Sequence, residues 1–139
     1  MTQIGPYLIF DGDCAEAMKF YARTLGGKLD VRTFSQSPPE MPTSPADADR
    51  VMHARLELGD RALMASDSGD GMKYEKMQGF FVSLIFPDVA ESKRIFEILA
   101  KGGNIIMPLE KTFWSESFGM LVDRFGTPWM VSGGHEPKS

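Results

Sequence analysis

Residues 20–27 read Phe-Tyr-Ala-Arg-Thr-Leu-Gly-Gly, and residues 96–103 read Phe-Glu-Ile-Leu-Ala-Lys-Gly-Gly. Phe20 and Phe96 each stand six residues before a Gly-Gly pair, and a β-rich segment follows both pairs. Glycine after an amphipathic run is typical of a helix C-terminus, because glycine readily adopts the left-handed conformation found there. The economical explanation of the two copies is an internal duplication of one structural unit.

The segments around both copies follow one order of strand and helix. Helices are predicted where apolar residues recur at intervals of three or four, at Cys14, Met18, Tyr21 and Leu25 in the first copy and at Ile95, Phe96 and Leu99 in the second. Strands are predicted at residues 4–10, 28–34, 52–58 and 61–66, and again at 81–86, 104–107, 119–122 and 128–132. The fold class is therefore α+β, a single domain of two tandem βαβββ modules. Module one covers about residues 4–67, a linker about 68–78, and module two about 79–133.

The bulk composition is that of an ordinary globular domain. The 139 residues carry a formal charge of -4, and the basic residues are scattered, which disfavours nucleic-acid binding. Apolar runs are far too short to span a membrane, and the N-terminus lacks the pattern of a secretion signal. Cys14 is the only cysteine, so no disulfide can form within the chain. These properties predict a cytoplasmic protein.

Motifs spread along nearly the whole chain carry a family resemblance. They are Pro6-Tyr7-Leu8 with Asp11-Gly12-Asp13-Cys14, Phe20-Tyr21 with Leu25-Gly26-Gly27, His53-Ala54, Leu63 to Asp67, Met107-Pro108-Leu109, Thr112-Phe113-Trp114, Phe118-Gly119, and Asp123 to Gly126 with Trp129-Met130. With these motifs the sequence resembles the PhnB-like branch of the glyoxalase/bleomycin-resistance/dioxygenase superfamily, also called the vicinal oxygen chelate superfamily. The resemblance implies two βαβββ modules that form a curved mixed sheet around a cavity, helices on the outer side, and a homodimer.

The resemblance also implies where a metal would bind, because metal-dependent members take their ligands from the first and last strands of each module. The corresponding positions in this sequence are Pro6, Met64 or Ser66, about Phe80, and Met130. Hard divalent ions need histidine nitrogen or carboxylate oxygen, which these side chains lack. We therefore expect no metal at these positions, and no other cofactor motif is present.

His53 lies in a predicted strand whose alternation separates two faces. Val51, His53, Arg55 and Glu57 fall on one face, and Met52, Ala54, Leu56 and Leu58 fall on the other. The apolar face is expected to meet a helix, and the polar face to look into the cavity. There His53 could act as a general acid or base and Arg55 could bind an anionic group. The alternative is a surface pattern of Arg55 and Glu57 with a hydrogen-bonded histidine.

The segment from Thr112 to Trp129 contains a cluster of aromatic residues beside a predicted turn. Phe113, Trp114 and Phe118 could stack on a ligand, with Glu116 among the polar residues that orient it. Aromatic residues are also enriched at protein interfaces, so the same cluster could bury a dimer contact or fill the cavity.

Two further features, Cys14 and the segment Ser35 to Arg50, have a functional and a structural interpretation. Cys14 stands at a helix start, where a thiol can be activated, but its place in the apolar spacing favours a core residue. The segment Ser35 to Arg50 is long enough to be a lid over a binding site or a mobile surface loop. His135 belongs to the C-terminal tail, which we expect to be exposed.

The leading hypothesis is a metal-independent small-molecule-binding protein. Its ligand-binding residues are predicted to be His53, Arg55, Glu57, Phe113, Trp114, Glu116 and Phe118, and its ligand is not identified by the sequence. The alternative is a lyase or isomerase with His53 as acid/base or with metal at non-standard positions. A third possibility is an interaction protein whose aromatic residues all lie in an interface.

Overall fold

The structure is a computed structural model that describes residues 2–36, 49–69 and 73–134. It divides into two compact units, with the boundary between Glu75 and Lys76. The first unit contains β1 (Tyr7–Phe10), α1 (Cys14–Leu25), β2 (Lys28–Thr33), a single 3-10 turn (Phe34–Gln36), β3 (Val51–Leu58) and β4 (Arg61–Asp67). The second contains β5 (Val82–Phe86), α2 (Val89–Ala100), β6 (Asn104–Glu110), β7 (Ser117–Val122) and β8 (Pro128–Gly133).

Each unit forms its own mixed sheet with the same topology. Within the described residues the strand orders are β1-β4-β3-β2 and β5-β8-β7-β6. The first strand of each module runs parallel to the last, and the remaining pairs are antiparallel. The predicted α+β class with two tandem βαβββ modules is confirmed.

The register of the strands also repeats between the modules. Tyr7 pairs with Met64 in the first sheet as Ser83 pairs with Met130 in the second. One row across each sheet continues from these pairs: Tyr7, Met64, Arg55 and Asp30 in module one, and Ser83, Met130, Met120 and Met107 in module two. A shared register at matching positions supports the internal duplication.

Helix α1 begins at a carboxylate that comes from the far end of the module. The side chain of Asp13 makes no capping hydrogen bond. Instead Asp67, which ends β4 and is 2% exposed, accepts hydrogen bonds from the backbone N–H groups of Gly12 and Cys14 at 2.8 and 3.0 Å. Its second oxygen accepts from Val51 N at 2.8 Å. One buried carboxylate therefore joins the start of α1, the end of β4 and the start of β3.

Module two uses a different aspartate for its last turn. Asp123 accepts hydrogen bonds from the backbone of Phe125 and Thr127 at 2.9 and 3.0 Å and from Trp129 Nε1 at 2.7 Å. Trp129 is fully buried, so its indole N–H needs such a partner. Helix α2 is capped locally, because Asp88 accepts from Ala90 N at 2.9 Å.

The second glycine of each Gly-Gly pair lies against the backbone of a neighbouring strand. A Cβ atom on Gly27 would collide with the carbonyl oxygen of Glu57, and one on Gly103 would collide with that of Val122. Only glycine allows the chain to pass this close. The Gly-Gly pairs therefore set helix-to-strand packing as well as helix ends.

The predicted strand boundaries differ from the observed ones by up to three residues, and the largest differences are in β1 and β6. The first strand begins at Tyr7 instead of Ile4, because Pro6 has no N–H for the ladder, although its carbonyl accepts from Met64 N at 3.2 Å. Strand β6 extends to Glu110 and contains Pro108, which an edge strand tolerates. Its register with β7 shifts twice, after Ile105 and after Met107.

No helix in the described part of the chain is long and apolar enough to cross a membrane.

We predict that Asp67→Ala lowers the free energy of unfolding by about 3 kcal/mol or more, because it leaves three backbone N–H groups without their charged acceptor. Urea denaturation followed by circular dichroism measures the change. The control is Asp60→Ala, since the Asp60 side chain is 95% exposed, and its expected effect is within about 0.5 kcal/mol. Equal stability of the two variants would contradict the role given to Asp67.

Candidate functional site

The sheet of module one packs one face against α1, which is the only α-helix among the described residues of this module. Ala54 and Leu56 of β3 are fully buried, on the side of α1. His53, Arg55 and Glu57 alternate with them and share the opposite side, as the sequence predicts. We call this side the open face; its members used below are Tyr7, Ile9, His53, Arg55, Glu57, Met64 and Ser66.

Val51 does not belong to the open face, and its predicted position is wrong. It is 1% exposed and pairs with Thr33, whereas His53 pairs with Arg32. The register shift at this point leaves Met52 as an extra residue in β3, so the alternation changes side. Val51 consequently joins the core, where its N–H reaches Asp67.

Tyr7 and His53 meet on the open face. The Tyr7 hydroxyl lies 3.3 Å from His53 Nδ1, and the ring centroids are 5.9 Å apart. The two residues belong to β1 and β3, with β4 between them. Sequence reasoning missed Tyr7, because its proximity to His53 depends on how the strands are ordered in the sheet. This hydrogen bond fixes one ring nitrogen of His53 and leaves Nε2 without a partner among the described residues.

Arg55 lies beside a cavity of about 390 Å³ in module one. Its Nε is 3.5 Å from a Glu57 oxygen, and its Nη1 is 3.9 Å from the Met64 sulfur. The N-terminal residues 2–5 and the β3–β4 turn complete the lining, together with Ala62 and Met64. Asp30 and Arg32 form a second exposed ion pair at 3.4 Å on β2. The cavity itself is lined by charged groups of both signs, namely Arg55, Arg61 and Asp60.

The positions expected for metal ligands do not carry suitable donors. Pro6 precedes β1, and Met64 and Met130 present thioethers, which are soft and poorly matched to a hard divalent ion. The repeated register places Val82 at the equivalent of Pro6, which corrects the assignment near Phe80. In the described ranges, no three or more His, Cys, Asp or Glu side chains are grouped as a metal site. These residues do not fit the metal centre that the resemblance implies for other members.

Three aromatic side chains of module two pack against one another as an aromatic cluster: Phe113, Trp114 and Phe118. Phe113 and Trp114 pack edge to face with centroids 4.7 Å apart, and Trp114 and Phe118 do so at 5.4 Å. Phe113 is 98% exposed and Trp114 is 47% exposed, so most of this aromatic surface is accessible. Glu116 is not part of this aromatic cluster. It lines a different cavity with Ser117.

That second cavity, of about 760 Å³, lies between α2 and β6. Apolar side chains, Phe96 and Leu109 among them, line part of it. Lysines and glutamates in equal number also line it: Lys93, Lys101, Lys111, Glu97, Glu110 and Glu116. It is larger than the module-one cavity, but the hydrogen-bonded pair of Tyr7 and His53 lies on the open face of module one. We therefore take the open face of module one as the candidate site.

Cys14 is a core residue, as its spacing predicts. It is fully buried, and burial raises the pKa of its thiol far above the usual range, with the carboxylates of Asp67 and Asp13 adding to the shift. The thiol is therefore neutral at physiological pH and inaccessible to solvent. His135 and most of the predicted lid, residues 37–48, lie outside the described residues.

The chain is similar to several known proteins along most of its length. A model of the Glyoxalase/Bleomycin resistance protein/Dioxygenase superfamily matches residues 3–131. Protein YjdN of Escherichia coli strain K12 is 35% identical over 141 residues, covering 93% of each chain. The crystal structure of protein PA1353 from Pseudomonas aeruginosa is 45% identical with a TM-score of 0.90, covering 98% of this chain and 100% of that one.

A more distant structural neighbour is a PhnB protein from Bacillus cereus, described as a putative 3-demethylubiquinone-9 3-methyltransferase. It is 24% identical with a TM-score of 0.74, covering 95% of this chain and 99% of that one. A likeness at this level of identity shows the fold alone.

We predict that iodoacetamide does not alkylate Cys14 in the native protein at pH 8 but alkylates it fully in urea. The reason is that the native thiol is both buried and protonated. Mass spectrometry of the intact chain measures the added mass. Labelling at the same rate with and without urea would show that the thiol is accessible and reactive.

Proposed function

The chain belongs to the Glyoxalase/Bleomycin resistance protein/Dioxygenase superfamily, and from this membership we propose that it is a small-molecule-binding protein whose ligand occupies the open face of module one. The observation that carries the proposal is that Tyr7, His53 and Arg55 share the open face, where Tyr7 and His53 are hydrogen-bonded and Arg55 lines a cavity of about 390 Å³. A concave site with a few converging polar groups is the usual form of a ligand site. The ligand stays unidentified.

Binding in this proposal does not depend on a metal at the superfamily's usual positions. Proline, methionine and valine stand where ligands would be needed. Shape, hydrogen bonds and charge on the open face can hold a small molecule without one. We also propose a cytoplasmic homodimer, in keeping with the family resemblance. The exposed rings of Phe113 and Trp114 could contact a second copy or a ligand.

The second candidate function is a lyase or isomerase that uses His53 as a general acid or base. The hydrogen bond with Tyr7 favours this candidate, because it sets the orientation of the imidazole while Nε2 has no partner in the described ranges. Oriented histidines of this kind transfer protons to or from substrates in many enzymes. Conversion of a bound compound distinguishes this candidate from simple binding.

We predict that the purified protein contains less than stoichiometric metal and that its melting temperature rises with one or more compounds in a screen of aromatic and anionic metabolites. Inductively coupled plasma mass spectrometry measures the metal, and a thermal-shift assay measures binding through linkage. His53→Ala should abolish the shift. Lys19→Ala is the matched control, because Lys19 is exposed on α1, on the other side of the sheet.

Each possible result bears on a separate part of the proposal. A stoichiometric metal whose removal abolishes binding would overturn metal independence. A compound that binds His53→Ala as tightly as the native chain would move the site away from the open face. If NMR shows that a bound compound is converted, and His53→Ala slows the conversion by about a hundredfold or more, the chain is an enzyme that uses His53.

A further inference from the structure

Ser66 carries a buried hydroxyl that has no hydrogen-bond partner among the described residues. It is 8% exposed, and its pairing with Ile9 places it on the open face two residues beyond Met64. The other buried serines in the described ranges all use their hydroxyls in hydrogen bonds: Ser68, Ser92, Ser115 and Ser117. The Ser66 hydroxyl has no such bond within the described part of the chain.

The Ser66 oxygen nevertheless stays accessible. The described residues include no fully enclosed side-chain oxygen or nitrogen that lacks a hydrogen-bond partner. The unpaired hydroxyl must therefore retain some contact with solvent. Buried hydroxyl groups are nearly always paired, since leaving one unpaired is unfavourable. A polar group that is mostly buried, unpaired and still accessible is suited to a partner that arrives from outside the chain.

Arg55 has unused hydrogen-bonding capacity on the same face. Its Nε contacts Glu57 at 3.5 Å in an exposed pair, and such pairs are weak. Its Nη1 reaches only the Met64 thioether, a poor acceptor, and Nη2 has no partner among the described residues. A guanidinium binds a carboxylate through two parallel hydrogen bonds, which are much stronger than a contact with sulfur.

The register fixes the spacing between these two groups. Arg55 pairs with Met64, and Ser66 is the next residue along β4 on the same face. Two residues of strand span about 7 Å, so one short molecule can contact both side chains. Tyr7, which pairs with Met64 from the opposite side, brings its hydroxyl and His53 to the same place.

We propose that the ligand is a short oxygen-bearing acid, whose carboxylate or other oxoanion binds Arg55 and whose second oxygen, from a hydroxyl or carbonyl group, pairs with the Ser66 hydroxyl. The inference rests on the proposed function and names the class of its ligand. Glu57 and Asp30 face the same region, but both are already paired with arginines, and the anion displaces Glu57 from Arg55. Met64 and Ile9 supply apolar contacts for the carbon skeleton.

The test is a panel of two- to six-carbon hydroxy and oxo carboxylates, each matched with its neutral amide. Thermal shift on the full chain identifies binders, and isothermal titration calorimetry measures their affinities. We expect carboxylates to bind at least about tenfold more tightly than their amides, given the strength of charged hydrogen bonds. Arg55→Gln should remove that preference.

Ser66→Ala should weaken binding of the best carboxylate by about tenfold. Ser132→Ala is the matched control, because Ser132 pairs with Ile85 in module two as Ser66 pairs with Ile9 in module one. It should leave the affinity unchanged. If Ser66→Ala lowers the melting temperature of the free protein, Ser66→Cys, which keeps the size but donates weakly, replaces it in the titration.

The outcomes separate this inference from the proposed function. Amides that bind as tightly as carboxylates would overturn the anionic class. Full affinity in Ser66→Ala, with affinity lost in His53→Ala, would overturn the role of Ser66 and leave the binding site in place. Binding only to compounds without an acidic group would reject the ligand class, and no response to any compound in either screen would reject both proposals.

Discussion

The buried carboxylate of Asp67 is the constraint on which the arrangement of module one depends. By accepting hydrogen bonds from Gly12, Cys14 and Val51, it joins residues that are far apart in sequence. Its bond to Val51 holds that residue on the helix side of β3, and the extra residue Met52 then returns His53 to the other side. This carboxylate thus holds Val51 on the side of α1, and the register shift leaves His53 on the open face.

Much of the fold could be predicted because its signals are local. Helical spacing, paired glycines and short β-rich runs identify α1, α2 and most strands, and the duplication identifies their order. The predictions fail where contacts between residues distant in sequence determine the structure. The position of Val51 depends on Asp67 and on a register shift with β2, and the length of β6 depends on its position at a sheet edge, where Pro108 is tolerated. No local pattern contains that information.

The residues of the candidate site could likewise be predicted where they belong to one strand, but not where they come from different strands. Alternation along β3 was sufficient to place His53, Arg55 and Glu57 on one face, since all three belong to a single strand. Tyr7 and Ser66 come from β1 and β4, so their proximity required the strand order and register of the sheet. A second obstacle is chemical: a serine in a strand carries no sign in the sequence that its hydroxyl will be buried and unpaired.

The repeated register has a consequence for how this chain could diversify. Matching rows read Tyr7, Met64, Arg55 and Asp30 in one module and Ser83, Met130, Met120 and Met107 in the other. The helix-facing sides are apolar in both modules, whereas these rows have become polar in one and rich in thioethers in the other. After duplication, selection could therefore alter the side chains of one row at little cost to folding, while the matching row of the other module changed independently.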